Sequence, residues 1–253
     1  MPNFFKLKSF FNFLLVAFFI FSSSLLTPYS VLAAPIKNHI RSRPGNIKTI
    51  QNTVQGQHKN QNKSKLNKRL PLIYLDPGHG ALDFGAVIKR PHLEEKRLCL
   101  LTAHYTKQYL EKMGYRVSLT RSRDVYVTLD KRAYLANRFK AGLYISIHYN
   151  SCPNPAIAGI EVYYHDKPGK KKTVSSRRLA SKVLQQMLVK TKARSRGVKR
   201  GNFLVIRDTK MPAILIEAGF LTNIKERNRI KQRQYLFTIA KGIANGINSF
   251  VKS

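Results

Sequence analysis

The chain has 253 residues and carries 46 Lys and Arg against 12 Asp and Glu, a formal net charge of +34. Two cysteines exclude a disulfide scaffold, and the length allows one or two domains with a sizeable core. Charge of this sign calls for an anionic partner: nucleic acid, an acidic lipid surface, or the polyanions of a bacterial wall.

The N-terminus opens with Lys6 and Lys8, followed by the apolar run "FFNFLLVAFFIF" at residues 10–21 and small residues at Val31 and Ala33. A basic start, a short apolar core and a −3/−1 pair of this kind predict a signal peptide over residues 1–33. The core is shorter than the roughly 20 residues a spanning helix requires, so residues 1–33 are expected to direct export and not to anchor the chain. Export places the protein in the periplasm or at the cell wall and argues against nucleic acid as the partner. Residues 34–70 follow as a predicted basic linker. Nine Lys or Arg and no Asp or Glu fall in residues 35–70, among many Asn and Gln. Without apolar periodicity, such a stretch has little to bury against the entropy of ordering. Its expected contacts are anionic wall polymers or a membrane surface. All twelve carboxylates therefore lie in residues 71–253 beside 35 Lys and Arg, a net charge of +23 there.

Within residues 71–253 the pattern alternates. "PLIYLD" (71–76) reads as a strand ended by Pro-Gly, and Glu95–Met113 as a helix with Gly114 at its C-terminal cap. Residues 115–121 read as a strand, 129–140 as a charged helix, and 143–151 and 159–165 as strands. A helix from Thr173 to Lys190, strands at 203–207 and 213–220, and a helix from Gln234 to Phe250 complete the order. Such alternation predicts a single α/β domain: a mostly parallel twisted sheet of about six strands with helices on both faces. In such sheets ligands gather at the carboxyl ends of the strands.

Three titratable groups stand where that pattern expects an apolar residue or a plain turn. His79 follows "IYLDPG", His148 sits inside "YISIHYNS", and Glu217 interrupts "PAILIEAGF". A strand histidine is ordinarily a hydrogen-bonded core residue, but a buried carboxylate needs a partner or a cation. A hydrolytic zinc site uses three protein ligands, such as two His and one Glu, and keeps one position open. Glu94 and Glu95, at the start of a helix, offer the carboxylate; as first-turn acids they also suit the helix dipole.

The motifs "IYLDPGHGALDFGA", "EEKRLCLL", "TR" (120–121), Arg132 with Ala136 and Asn137, "SIHYNS" and "PAILIEAGFLTN" occur in an order that resembles the zinc-dependent N-acetylmuramoyl-L-alanine amidases, bacterial cell-wall hydrolases of the amidase-3 type. The resemblance covers residues 71–250. It implies one zinc ion per chain held by His79, Glu95 and His148, with Glu217 catalytic, and Glu94 as the neighbouring alternative to Glu95. It further implies peptidoglycan as substrate, cut at the amide between N-acetylmuramic acid and L-alanine. A zinc carboxypeptidase or endopeptidase acting on stem peptides, and a non-catalytic wall-binding module of the same fold, are the competing readings. Some relatives carry an inhibitory helix between the second His and the catalytic Glu. The interval from His148 to Glu217 is already filled by predicted elements, so no activator is expected.

Overall fold

The computed structural model describes residues 70–167 and 169–253. The expected signal peptide and nearly all of the expected linker lie outside these residues. In chain order the elements are β1 (Ile73–Pro77), β2 (Val87–Ile88), β3 (Leu93–Glu94), α1 (Glu95–Lys112), β4 (Val117–Leu119), α2 (Leu129–Arg138) and β5 (Leu143–Asn150). They continue with β6 (Ile160–Tyr164), α3 (Lys171–Thr191), β7 (Ser195–Arg200), α4 (Leu204–Arg207), β8 (Ala213–Phe220), α5 (Ile224–Ile230) and α6 (Arg233–Lys252). Among the described residues, no helix is long and apolar enough to cross a membrane.

Six strands form one sheet in the order β4-β1-β5-β8-β6-β7, and β2 pairs with β3 in a separate two-stranded ribbon. Every pair in the large sheet is parallel except β6 with β8. The two-residue period of the strands divides the core between the two faces. Ile73, Leu75, Ile145, Ile147, Ile214 and Ile216 pack with α1, α3 and α6 on one face. Tyr74, Tyr144, Ala213 and Leu215 pack on the other against Ala136 of α2 and Val205 and Ile206 of α4. The second face has the thinner cover, one ten-residue helix and one of four residues. Asp76, Ser146, His148 and Glu217 share the parity of that face, so the sparse cover leaves the polar ends of the central strands accessible.

The expected α/β sandwich is the observed one, with local differences. Residues 203–207, read as a strand, contain the short helix α4, and the edge strand is instead β7, eight residues earlier at Ser195. "SRGVKR" pairs only with β6 and stays partly exposed. An edge strand buried on neither face needs no apolar run, which is why its pattern is silent. Residues 115–121 shorten to Val117–Leu119, and α5 appears between the last strand and the last helix.

Candidate metal centre

The β1–α1 connection begins with His79 in the left-handed region at φ +58°, a conformation a non-glycine residue holds only when its surroundings impose it. Two arginines impose it here. Arg121 donates from Nε to Pro77 O (3.1 Å) and from Nη2 to Gly78 O (2.6 Å). Arg132 donates from Nη1 to Pro77 O (2.7 Å) and from Nη2 to His79 O (2.7 Å). Arg132 is itself anchored by Asp76, whose Oδ1 accepts from Nη1 at 2.8 Å, with Thr120 and Ser146 hydroxyls donating to the same carboxylate at 2.6 and 2.8 Å. Burial pushes the Asp76 carboxyl up, but the Arg132 charge and these donors outweigh it and hold it below the usual range.

Glu95 is the first residue of α1, where the helix dipole favours a carboxylate. Its two oxygens are fixed by backbone N–H groups, Oε2 by Ala86 (2.8 Å) and Oε1 by Tyr149 (3.1 Å). Oε1 lies 3.0 Å from His79 Nε2 and 3.0 Å from His148 Nδ1, and the two ring nitrogens are 3.2 Å apart. Three electron-rich atoms at the corners of such a triangle repel unless protons or a cation lie among them. Tetrahedral zinc, with ligand bonds of about 2.0–2.1 Å, sets neighbouring ligand atoms about 3.3 Å apart, so the triangle fits the ion with little adjustment. His79, Glu95 and His148 are the group among the described residues that could hold a metal.

The supports around the triangle fit the same role. His79 Nδ1 donates to Asp83 Oδ1 at 2.8 Å, which leaves Nε2 with its lone pair toward Glu95 and His148. Burial lowers the His79 pKa, but Glu95 and Asp83 together raise it above the ordinary value. Burial raises the Glu95 carboxyl, and the two imidazoles overcome that and hold it far below the ordinary range. Gly78 is small because it must be: a Cβ there would stand 2.2 Å from His148 Cε1.

Glu217 lies directly opposite His148 in the β5–β8 register and opposite Glu161 in the β6–β8 register. Its Oε2 is buried and has no hydrogen-bond partner among the described residues. Burial, then the nearby carboxylates Glu95 and Glu161, push its pKa well above the ordinary value. Glu161 differs, although its side chain is also taken out of solvent. It accepts from Asn150 Nδ2 (2.9 Å), the Tyr163 hydroxyl (2.8 Å), Arg196 Nε (2.9 Å) and the Lys199 ammonium, and stays ionised. The two carboxylates on adjacent strands are thus driven apart in proton affinity, the pattern of one structural anion and one proton acceptor.

All four expected residues, His79, Glu95, His148 and Glu217, line one cavity of about 420 Å³. Tyr126, Leu129 and Phe203 form an apolar part of its wall. Glu94 turns away to His92 (3.0 Å) and Lys96 (3.8 Å) and is not part of the His79–Glu95–His148 cluster. Cys99 and Cys152 are both free thiols, the first buried. Asp83, Arg121 and Arg132 shape the site more than the residue pattern conveys. Asp83 sits four residues after His79 in a glycine-rich loop where a turn explains it equally well, and the arginines act on backbone carbonyls.

A family model described as N-acetylmuramoyl-L-alanine amidase (Amidase_3) matches residues 73–249. The uncharacterized protein YqiI of Bacillus subtilis (strain 168) is 36% identical over 179 residues, which cover 70% of this chain and 84% of that one. The N-acetylmuramoyl-L-alanine amidase LytC of the same organism is 33% identical over 180 residues; the match takes in 71% of this chain but only 35% of LytC. Among solved structures, an N-acetylmuramoyl-L-alanine amidase from Clostridium difficile 630 superposes with a TM-score of 0.70 at 36% identity, covering 73% of this chain and 98% of that one.

Proposed function

The chain belongs to the N-acetylmuramoyl-L-alanine amidase family and is a peptidoglycan hydrolase, and we propose that it cuts the muramoyl–alanine amide with one zinc ion held by His79 Nε2, Glu95 Oε1 and His148 Nδ1. The observation that carries this reading is the 3.0–3.2 Å triangle of those atoms in the same cavity as the unpartnered oxygen of Glu217. When bound, zinc supplies Lewis acidity that lowers the pKa of water toward about 7 and polarises the scissile carbonyl.

The protein's own groups do the rest. Glu217 takes the proton of the attacking water as the new C–O bond forms and then gives it to the leaving amine of L-alanine as the amide C–N bond breaks. Its raised proton affinity suits both transfers. Asp83 keeps His79 in the tautomer that presents Nε2, and Arg132 holds the strained carbonyl of the same residue. Glu161, neutralised by Arg196 and Lys199, orients Asn150 at the cavity wall.

Export to the periplasm or wall is part of the same proposal, supported by the location of the substrate and by the residue pattern of positions 1–33. The basic segment 34–70 would then meet wall polyanion or membrane. The absence of an activator requirement is supported by the interval from His148 to Glu217, where β6, α3, β7 and α4 account for the chain. Digesting purified peptidoglycan with the protein alone tests the whole reading by mass spectrometry. Intact stem peptides beginning with L-alanine are expected. Shortened stems would mark a peptidase, and binding without products a wall-binding module. Products that form only when a second protein is added would refute independence from an activator.

A further inference from the structure

Charge is unevenly spread over the folded residues. Residues 167–207 contain 14 Lys or Arg and no Asp or Glu, whereas the rest of residues 71–253 carry 21 basic residues against 12 acidic ones. A general bias toward lysine and arginine would not concentrate so sharply. Nor does the placement serve helix stability. Helix α3 has no acid in its first turn and begins with Lys171 and Lys172, cations at the end where the dipole disfavours them. Lys172 is taken up by the carbonyls of Ile206, Arg207 and Thr209; Arg177, Arg178 and Lys182 have no such use among the described residues. Arg178 and Lys182 stand four residues apart, a like-charge pair that destabilises an isolated helix.

Four of these cations, Arg177, Arg178, Lys182 and Arg200, border a groove of about 580 Å³ between α3 and the ends of β6 and β7. Arg177, Arg178 and Lys182 line one wall, and Tyr164, Asp166 and Arg200 the other. Asp166 is occupied by Arg200 at 2.8 Å, and among the described residues no carboxylate lies within ion-pair distance of Arg177, Arg178 or Lys182. Arg178 rests over the Phe250 ring at 4.8 Å, which preorganises its guanidinium. The groove is separate from the cavity around Glu217: Glu161 pairs with Glu217 at one end of β6, and Tyr164 pairs with Ile214 at the other.

We propose that this groove is a docking site for a linear phosphodiester polymer of the cell wall, which holds the domain on the wall while the opposite end of the sheet works on glycan-linked stems. The inference rests on the peptidoglycan reading only for where the protein meets its partner. Three free cations in a concavity suit a flexible chain of repeated phosphates, since α3 spaces Arg178 and Lys182 by a rise of about 6 Å along its axis. A membrane surface fits less well, because Tyr164 is buried and Val174 is the exposed apolar side chain of the groove, which leaves no exposed aromatic or leucine to insert.

The test compares the full chain with Arg177→Gln/Arg178→Gln/Lys182→Gln, whose replacements keep helix propensity. A second variant, Arg177→Gln/Lys182→Gln, leaves the Phe250 contact intact should the triple variant fold poorly. Binding is measured by co-sedimentation with walls that retain their phosphodiester polymers and with walls stripped of them by hydrofluoric acid, across a salt series. The wild type is expected to prefer the unstripped wall. Between about 50 and 200 mM salt it should lose roughly 20- to 40-fold more affinity than the triple variant, three contacts contributing about 0.7–0.9 each to the log–log slope. Cleavage of a soluble muropeptide should be equal in all three proteins. Equal binding by wild type and variants overturns the proposal. So does wild-type binding that is indifferent to stripping, which would point to stem carboxylates. Preference for anionic lipid vesicles over unstripped wall also overturns it. If no protein cleaves the soluble muropeptide, the hydrolase reading fails, and the binding comparison still decides the groove.

Discussion

Replacing Asp76 by Asn removes one charge from a buried pair without changing the shape of the side chain. Asp76 and Arg132 are 1% and 3% exposed at the side chain and 2.8 Å apart. Loss of the carboxylate charge leaves the guanidinium buried and uncompensated, which costs about 3–5 kcal/mol. For a domain of this size about 2–4 °C of Tm follows each kcal/mol, so the Asp76→Asn protein should melt about 6–20 °C below wild type at pH 7. The sign of the pH dependence is fixed by the lowered folded-state pKa of Asp76. The stabilisation it provides is present above the unfolded carboxylate value of about 3.9 and is lost as pH falls through the folded value. The gap between the two proteins should therefore narrow on acidification below about pH 4. Because Arg132 also donates to the carbonyls of Pro77 and His79, the variant should bind zinc more weakly as well. Thermal melts followed by circular dichroism over a pH series, with zinc titrations alongside, measure both effects. A Tm within about 2 °C of wild type at neutral pH, or a gap that widens with acid, would refute the reasoning.

Three further outcomes test neighbouring parts of the site. Gly78→Ala should weaken zinc binding by roughly 10- to 100-fold, the range seen when groups that orient ligands are lost, because its Cβ would displace the His148 ring; isothermal titration reads this directly. His148→Ala should bring the metal content of the purified protein well below one zinc per chain, measured by atomic emission. Removing zinc from wild type by chelation, starting from free zinc at about a hundred times Kd, should take away about 2.7 kcal/mol of stability, or about 5–11 °C of Tm, and restoring zinc should recover it.

The parts of the fold that were legible are those where burial forces a pattern. Ala213–Phe220 and Leu143–Asn150 are central strands, mostly apolar on both faces, with His148 and Glu217 as the titratable interruptions beside the small hydroxyl of Ser146 and the terminal Asn150, and those two interruptions mark the site. The edge strand at Ser195–Arg200 was not legible, because partial exposure lets its side chains be polar. Helix α4 at Leu204–Arg207 reads as a strand in the sequence because four residues cannot display a helical period. The antiparallel entry of β6 beside β8 leaves no trace in composition, yet it places Glu161 against Glu217. Glu95 was assigned by family resemblance, since a first-turn glutamate is ordinary in any helix, and its convergence with two histidines is visible only in three dimensions. Asp76 acts on the site at one remove, through Arg132. Outside the triangle, the carboxylate that touches His79 directly is Asp83.

In the proposed site His79, Glu95 and His148 hold the metal while Glu217 moves the proton. Measuring zinc content and peptidoglycan hydrolysis together on wild type and Glu217→Gln tests it most directly. Both proteins are expected to carry one zinc per chain, and the variant to lose about 10²- to 10⁴-fold in rate, the usual contribution of a general acid–base group. A variant that loses its zinc would place Glu217 among the ligands, and one that keeps wild-type activity would remove it from the reaction; either result contradicts the account.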